Sequence, residues 1–183
     1  PLMVTPDMRR SAKTVNFGIV YGQTPFGLAQ QLSIGRKEAE IYIGRYFERY
    51  SGVLAFKEEV LEEVRRTGVA KTLLGRRRPI PDMQSRNPSA RSFAERTAFN
   101  TPLQGTAADL IKLAMIRIAS ILEKKKMQSR MLLQVHDELV FEAPTSEKDD
   151  LQELVKTEME SVYRLSVPLA VDTGSGPNWR DAK

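Results

Sequence analysis

The spacing of apolar residues changes along the chain, and each change marks an element. Thr5-Pro6 pairs an N-cap residue with a proline at the first helical position, which predicts a helix running to about Ile19, before a break at Tyr21-Gly22. Thr24-Pro25 repeats that start for a short helix. Residues 36–50 and 53–67 read as two further helices, divided by Ser51-Gly52 and closed by Gly68. Residues 69–74, followed by "GRRRPIP", read as a strand and turn of hairpin type. Asn87-Pro88 opens another helix, which Pro102 and Gly105 should break or kink. From 106 to 126 the period is strongly helical, with Leu110, Leu113, Ala114, Ile118, Ile121 and Leu122 on one stripe. Residues 131–143 read as two short strands joined at His136-Asp137-Glu138, because they are short and rich in β-branched and aromatic side chains. Ser146 with Asp149 resembles a capping box for a helix over 147–163, and 167–171 reads as a last strand. The order predicts an α+β fold, a mostly helical part attached to a small antiparallel sheet.

The chain has 183 residues, enough for a sizeable core and at most two small domains. No apolar run is long enough to span a bilayer, and the N-terminus does not read as a signal peptide. There are no cysteines, which removes disulfides and zinc–thiolate sites and fits a reducing, cytoplasmic location. The net charge of +5 is unevenly spread. Residues 1–100 carry 17 Lys and Arg against 10 Asp and Glu, whereas residues 101–183 carry 11 against 13. A basic half suggests a polyanionic partner such as a nucleic acid or nucleotide; a solvated basic surface is the alternative.

Three clusters carry candidate chemistry. In "RRSAKTVNFGIVYG", Arg9, Lys13 and Phe17 are spaced by four, and each such step turns about 400° and climbs about 6 Å along a helix. Two cations followed by an aromatic face match the order of phosphates, sugar and base in a nucleoside triphosphate. Tyr21 lies one step further on, and Gly18 and Gly22 would let a base or backbone come close. An amphipathic helix with a buried Phe is the competing reading, and no Walker A loop occurs. In "ERTAFNTPLQGTAADL", Arg96, Asn100 and Gln104 are also spaced by four and suit phosphate and minor-groove contacts; a capping and kink arrangement explains them equally well. In "MLLQVHDELVFEAP", the only histidine stands beside two carboxylates between apolar strands, which predicts a partly enclosed break. Neighbouring strand residues point to opposite faces, so Asp137 and Glu138 need not share a site. Oxygen ligands select Mg²⁺ or Mn²⁺ over zinc, but two adjacent acids are too few for a two-metal cage, so a second carboxylate must come from elsewhere.

Together these segments resemble the family A DNA polymerases. "RRSAKTVNFGIVYG" is similar to the family's motif B, on the fingers helix that grips the incoming nucleotide, and "LLQVHDELVFEAP" to its motif C in the palm. "TLLGRRRPIPD" and "ERTAFNTPLQGTAADLIKLAM" resemble the segments between them, in family order over essentially the whole chain. The resemblance implies mostly helical fingers over 1–125 and part of an antiparallel palm sheet over 126–183. It implies that Arg9 and Lys13 hold the triphosphate, with Lys13 catalytic, that Phe17 packs on sugar and base, and that Tyr21 stacks at the templating position. Arg96, Asn100 and Gln104 would contact primer and template, and His136 the primer end. Asp137 would ligate a catalytic metal, with Glu138 in a lesser role. The implied reaction, in DNA replication or repair, is attack of a primer 3′-hydroxyl on the α-phosphate of a dNTP, with Mg²⁺ and DNA primer-template as partners. The family's motif A, with the other catalytic aspartate, and its thumb precede motif B and so lie outside these residues. The chain therefore reads as a C-terminal portion, inactive or nearly so alone. A rival reading is a non-catalytic nucleic-acid-binding module derived from the fingers.

Overall fold

The computed structural model describes residues 3–182. Its order is six α-helices with two short hairpins and two 3₁₀ turns between them. By contacts the chain divides into two compact units, one up to Thr106 and one from Ala107 onward. That geometric boundary falls earlier than the expected division at 125–126.

In the first unit, helix α1 (Pro6–Val20) starts as expected: the Thr5 hydroxyl accepts from the Met8 amide at 3.2 Å, and Pro6 opens the first turn. It ends in a Schellman turn. Gly22, at φ +75°, donates to the Ile19 carbonyl, and Gln23 donates to the Gly18 carbonyl at 2.8 Å. Helix α2 (Pro25–Leu32) is capped by Thr24. Helices α3 (Arg36–Arg49) and α4 (Ser51–Thr67) are divided by Tyr50 alone. The expected break at Ser51-Gly52 is thus displaced, and Gly52 lies inside α4. Leu28, Ala29 and Ala39 form a small core with Val15, Leu32, Ile34 and Ile43 packed on it.

Strands β1 (Val69–Lys71) and β2 (Arg77–Pro79) pair antiparallel. Ala70, Ile80 and Met83 join Leu61, Val64, Ala94 and Ala98 in a second core of the same unit. The long helix α5 (Pro88–Lys124) corrects one expectation, since it continues through Pro102 and Gly105. Proline removes one helical N–H, the one that would reach the Ala98 carbonyl, and threonine hydroxyls add bonds at neighbouring carbonyls. Thr101 Oγ1 donates to Thr97 O at 2.7 Å, and Thr106 Oγ1 donates to Pro102 O. Gly105 is a packing position: a Cβ there would stand 2.6 Å from Thr72 Cγ2. The Thr106 hydroxyl also accepts from the Leu73 amide at 2.9 Å, tying the β1–β2 turn to the helix.

In the second unit, the predicted stripe of α5 is the core. Ala114, Ile118 and Leu122 pack with Leu151, Leu154, Val155 and Val162, and Leu110, Leu113 and Ile121 lie against them. Strands β3 (Arg130–Val135) and β4 (Glu138–Glu142) form a two-stranded antiparallel sheet with an irregularity at Leu132. Met131, Leu139 and Phe141 face that core, but Leu132 and Leu133 are 55% and 42% exposed.

The expected capping box does not form. Helix α6 (Lys148–Glu160) follows a 3₁₀ turn (Thr145–Glu147) and has no side-chain cap. Glu147 instead holds the chain after α5, accepting from Gln128 N and Ser129 N at 2.9 Å and from Ser129 Oγ at 2.6 Å. Those hydrogen bonds favour its charged form and hold its carboxyl below the ordinary glutamate value. Residues 167–171 do not form the predicted strand. Their apolar pattern has another use: Leu169 packs on the core, and the Val171 amide donates to Glu160 Oε1 at 3.0 Å rather than to a strand.

Candidate functional site

The basic stripe of α1 borders an open cleft of about 570 Å³ in the first unit. Its lining includes Arg10, Lys13, Phe17, Tyr21, Gln23 and Arg96. The Phe17 and Tyr21 rings are stacked, with centroids 5.9 Å apart and planes 11° from parallel. Neither is a core residue, at 44% and 43% exposure, so the predicted aromatic face is open rather than buried. Lys13 Nζ lies 5.6 Å from the Phe17 centroid, within cation–π range. One wall thus offers a cation beside a flat aromatic surface, a pairing suited to an anionic ligand that carries a ring.

Arg9 is exposed but is not among the residues lining the cleft; Arg10 is. Helix geometry gives the reason. Each four-residue step overshoots a full turn by about 40°, so from Arg9 to Tyr21 the ladder drifts by about 120°. Arg10 and Tyr21 are eleven residues apart, which returns to within about 20° of the same direction. An eleven-residue spacing would have found Arg10 in the sequence. Arg10 also pairs with Asp7 at 3.2 Å, both well exposed.

Gly22 packs against α5: a Cβ there would meet Arg96 Cγ at 2.9 Å. Arg96 itself donates to Ser92 Oγ at 2.8 Å and has its guanidinium 6.0 Å from the Phe93 centroid. The structure therefore brings Arg96 to the same cleft as Lys13, Phe17 and Tyr21. One turn further along α5, Asn100 Oδ1 is buried with no hydrogen-bond partner. A buried polar atom left unpaired is costly, which marks Asn100 as an unusual position in α5. Gln104 follows on the exposed surface.

The acidic cluster lies in the second unit. His136 and Asp137 form the turn between β3 and β4, with Val135 paired to Glu138. His136 has φ +54°, an uncommon conformation for a side chain with a Cβ. The Gln134 carboxamide donates to the His136 carbonyl across the turn. The expected enclosure is not found: His136, Asp137 and Glu138 are all exposed. The apolar side chains that suggested it are divided between the core face and the surface, as strand alternation and the irregularity at Leu132 require. Trp179 Nε1 donates to Glu138 Oε2 at 3.3 Å, a partner the sequence pattern did not suggest. Hard carboxylate oxygens at Asp137 and Glu138 suit Mg²⁺ in kind. Among the described residues no three His, Cys, Asp or Glu side chains converge.

A basic helix with stacked aromatics in one unit and an acidic β-turn in the other point to a protein that handles phosphates and rings. The model of DNA polymerase family A matches residues 1–181, and the chain belongs to that family, which uses Mg²⁺. It is 56% identical over 180 residues to DNA polymerase I of Bacillus subtilis (strain 168), covering 98% of this chain and 20% of that protein. It is 52% identical to the thermostable DNA polymerase I of Thermus aquaticus, covering 98% of this chain and 21% of that protein. The polymerase domain of Pol1 from M. smegmatis, solved in complex with DNA primer-template and dNTP, superposes with a TM-score of 0.94 at 44% identity. That match covers 98% of this chain and 32% of the solved one. The chain thus spans about a fifth of the length of the curated relatives.

Proposed function

We propose that this chain supplies the nucleotide-gripping helix and one metal-binding carboxylate of a DNA-directed DNA polymerase, acting in the bacterial cytoplasm. The observation that carries the reading is the cleft where Lys13, the stacked Phe17 and Tyr21, and Arg96 line one opening. Lys13, with Arg9 and Arg10, neutralises the triphosphate of an incoming dNTP. The Lys13 cation also offsets charge that grows on the phosphate oxygens during transfer, the catalytic part of its role. Phe17 packs on the sugar and base, and Tyr21 occupies the templating position until the fingers close. Arg96, Asn100 and Gln104 bind primer and template by phosphate and minor-groove contacts, and His136 touches the primer end. Asp137 holds Mg²⁺, and Glu138 acts beside it. Bound Mg²⁺ supplies Lewis acidity at the phosphate oxygens. The reading requires a second carboxylate, and a thumb, from outside these residues. The overall reaction joins the primer 3′-oxygen to the α-phosphorus and releases pyrophosphate.

Primer extension tests this directly. The 183-residue chain alone should extend a primer little or not at all, and adding a fragment with the preceding palm segment should restore synthesis. Robust extension by the chain alone would remove the need for an outside carboxylate. DNA binding with no synthesis in the complete protein would favour the non-catalytic binding module.

A further inference from the structure

Gln23 has more constraints on its side chain than a surface residue in a turn needs. It occupies the position of the Schellman turn that usually makes an apolar contact back to the helix. Here the partner is Gly18, and the Gln23 carboxamide lies over it: a Cβ on Gly18 would stand only 2.0 Å from Gln23 Oε1. That oxygen is buried and makes no ordinary hydrogen bond. It faces the Gly18 Cα, the geometry of a weak C–H···O contact that only glycine permits. On the other side, a Cβ on Gly27 would stand 3.1 Å from Gln23 Cγ. The carboxamide nitrogen donates to Gln31 Oε1 of α2 at 2.9 Å. Two glycines and a second glutamine therefore clamp one side chain between α1 and α2. The clamp lies two residues beyond Tyr21 and lines the same cleft.

We propose that Gln23 is a positioning residue: with Gln31 it forms a carboxamide latch that locks the turn ending α1, and so holds the Tyr21 ring on Phe17 at the edge of the cleft. The inference rests on the polymerase reading for its consequence, not for its geometry. A burial that leaves Oε1 unpaired costs stability, so the latch is held at an expense that a well-packed apolar residue would avoid. Its effect is to couple α2 to the aromatic platform. Releasing it frees Tyr21 without removing any group that touches the nucleotide phosphates.

The test uses the complete protein that carries these residues, with two readouts. Amide hydrogen exchange across 18–23 should quicken by about 3- to 10-fold on Gln23→Ala, the loss expected of one hydrogen bond. In primer extension the same variant should raise the dNTP KM by a similar factor and lower kcat by less. Gln31→Ala should give the same pattern, and the double variant should be no worse than either single one. Gln31→Ala keeps the test open if Gln23→Ala fails to fold. Gln23→Met keeps the side-chain length and should not restore wild-type behaviour, because the bond to Gln31 is lost. Additive single effects, a Met variant equal to wild type, or faster exchange with unchanged KM would each overturn the latch. A wild-type protein unable to extend primers would count against the polymerase reading alone. The exchange measurements would then decide the latch by themselves.

Discussion

Glycines and one glutamate show how single residues are fixed by neighbours far along the chain. Gly22 combines φ +75° with Arg96 Cγ at 2.9 Å from a hypothetical Cβ. Gly22→Ala is therefore expected to destabilise the protein by about 1–2 kcal/mol for the left-handed backbone alone, with a further loss from the displaced Arg96. Denaturant unfolding of the variant measures it. At Glu147 the direction with pH can be worked out. Hydrogen bonds from Gln128 and Ser129 lower its folded pKa, so the unfolded chain binds the proton more tightly. Its contribution is present above the ordinary glutamate value of about 4.3 and disappears as pH falls through the lower folded value. Glu147→Gln should flatten that part of the acid unfolding profile, as a denaturation series from neutral to acid pH would show.

At the scale of elements, the prediction most nearly right and most instructively wrong is α5. Its start at Pro88 and its apolar stripe were readable from period and cap. Its passage through Pro102 was not, because the helix is packed on both sides of the proline, with Ala98 in the core and Gly105 against Thr72, and the local pattern carries no record of those contacts. Thr106→Val should remove both the donor to Pro102 and the acceptor for Leu73, costing about 1–3 kcal/mol as a fall in thermal midpoint. Ile118, fully buried in the stripe, is the contrasting case. Ile118→Ala should cost about 2–5 kcal/mol by leaving a cavity, measured by the same unfolding series. The last strand failed for a related reason. Alternating apolar residues at 167–171 ask for a covered face, and Leu169 obtains one against the helical core without pairing to a neighbour strand.

For the whole molecule, charge and chemistry sort the predictions. In the complete protein, Arg96→Ala should weaken primer-template binding and reduce its dependence on salt, because a phosphate contact releases counterions. Asp137→Ala should leave that binding nearly intact while extension is lost. Filter binding across a salt series, set beside primer extension, separates the two; equal losses of binding would mean that Asp137 is not a metal ligand.

The sequence alone determined most of the local structure: caps at Thr5 and Thr24, the helix end at Tyr21-Gly22, the core stripe of α5 and the break between two strands around His136-Asp137-Glu138. These depend on neighbours within a turn or two, where backbone sterics and side-chain period act directly. The order of its motifs was also enough to indicate the family. Tertiary structure decided what those residues face. It turned Arg10 rather than Arg9 toward the cleft, brought Arg96 beside the Phe17–Tyr21 stack, and left the acidic turn exposed. It also assigned Glu147 to Ser129 and Gln23 to Gln31. Apart from Arg10, whose direction an eleven-residue spacing on its own helix already gives, each of these depends on which elements pack where, and a side chain's spacing along its own helix carries no record of that.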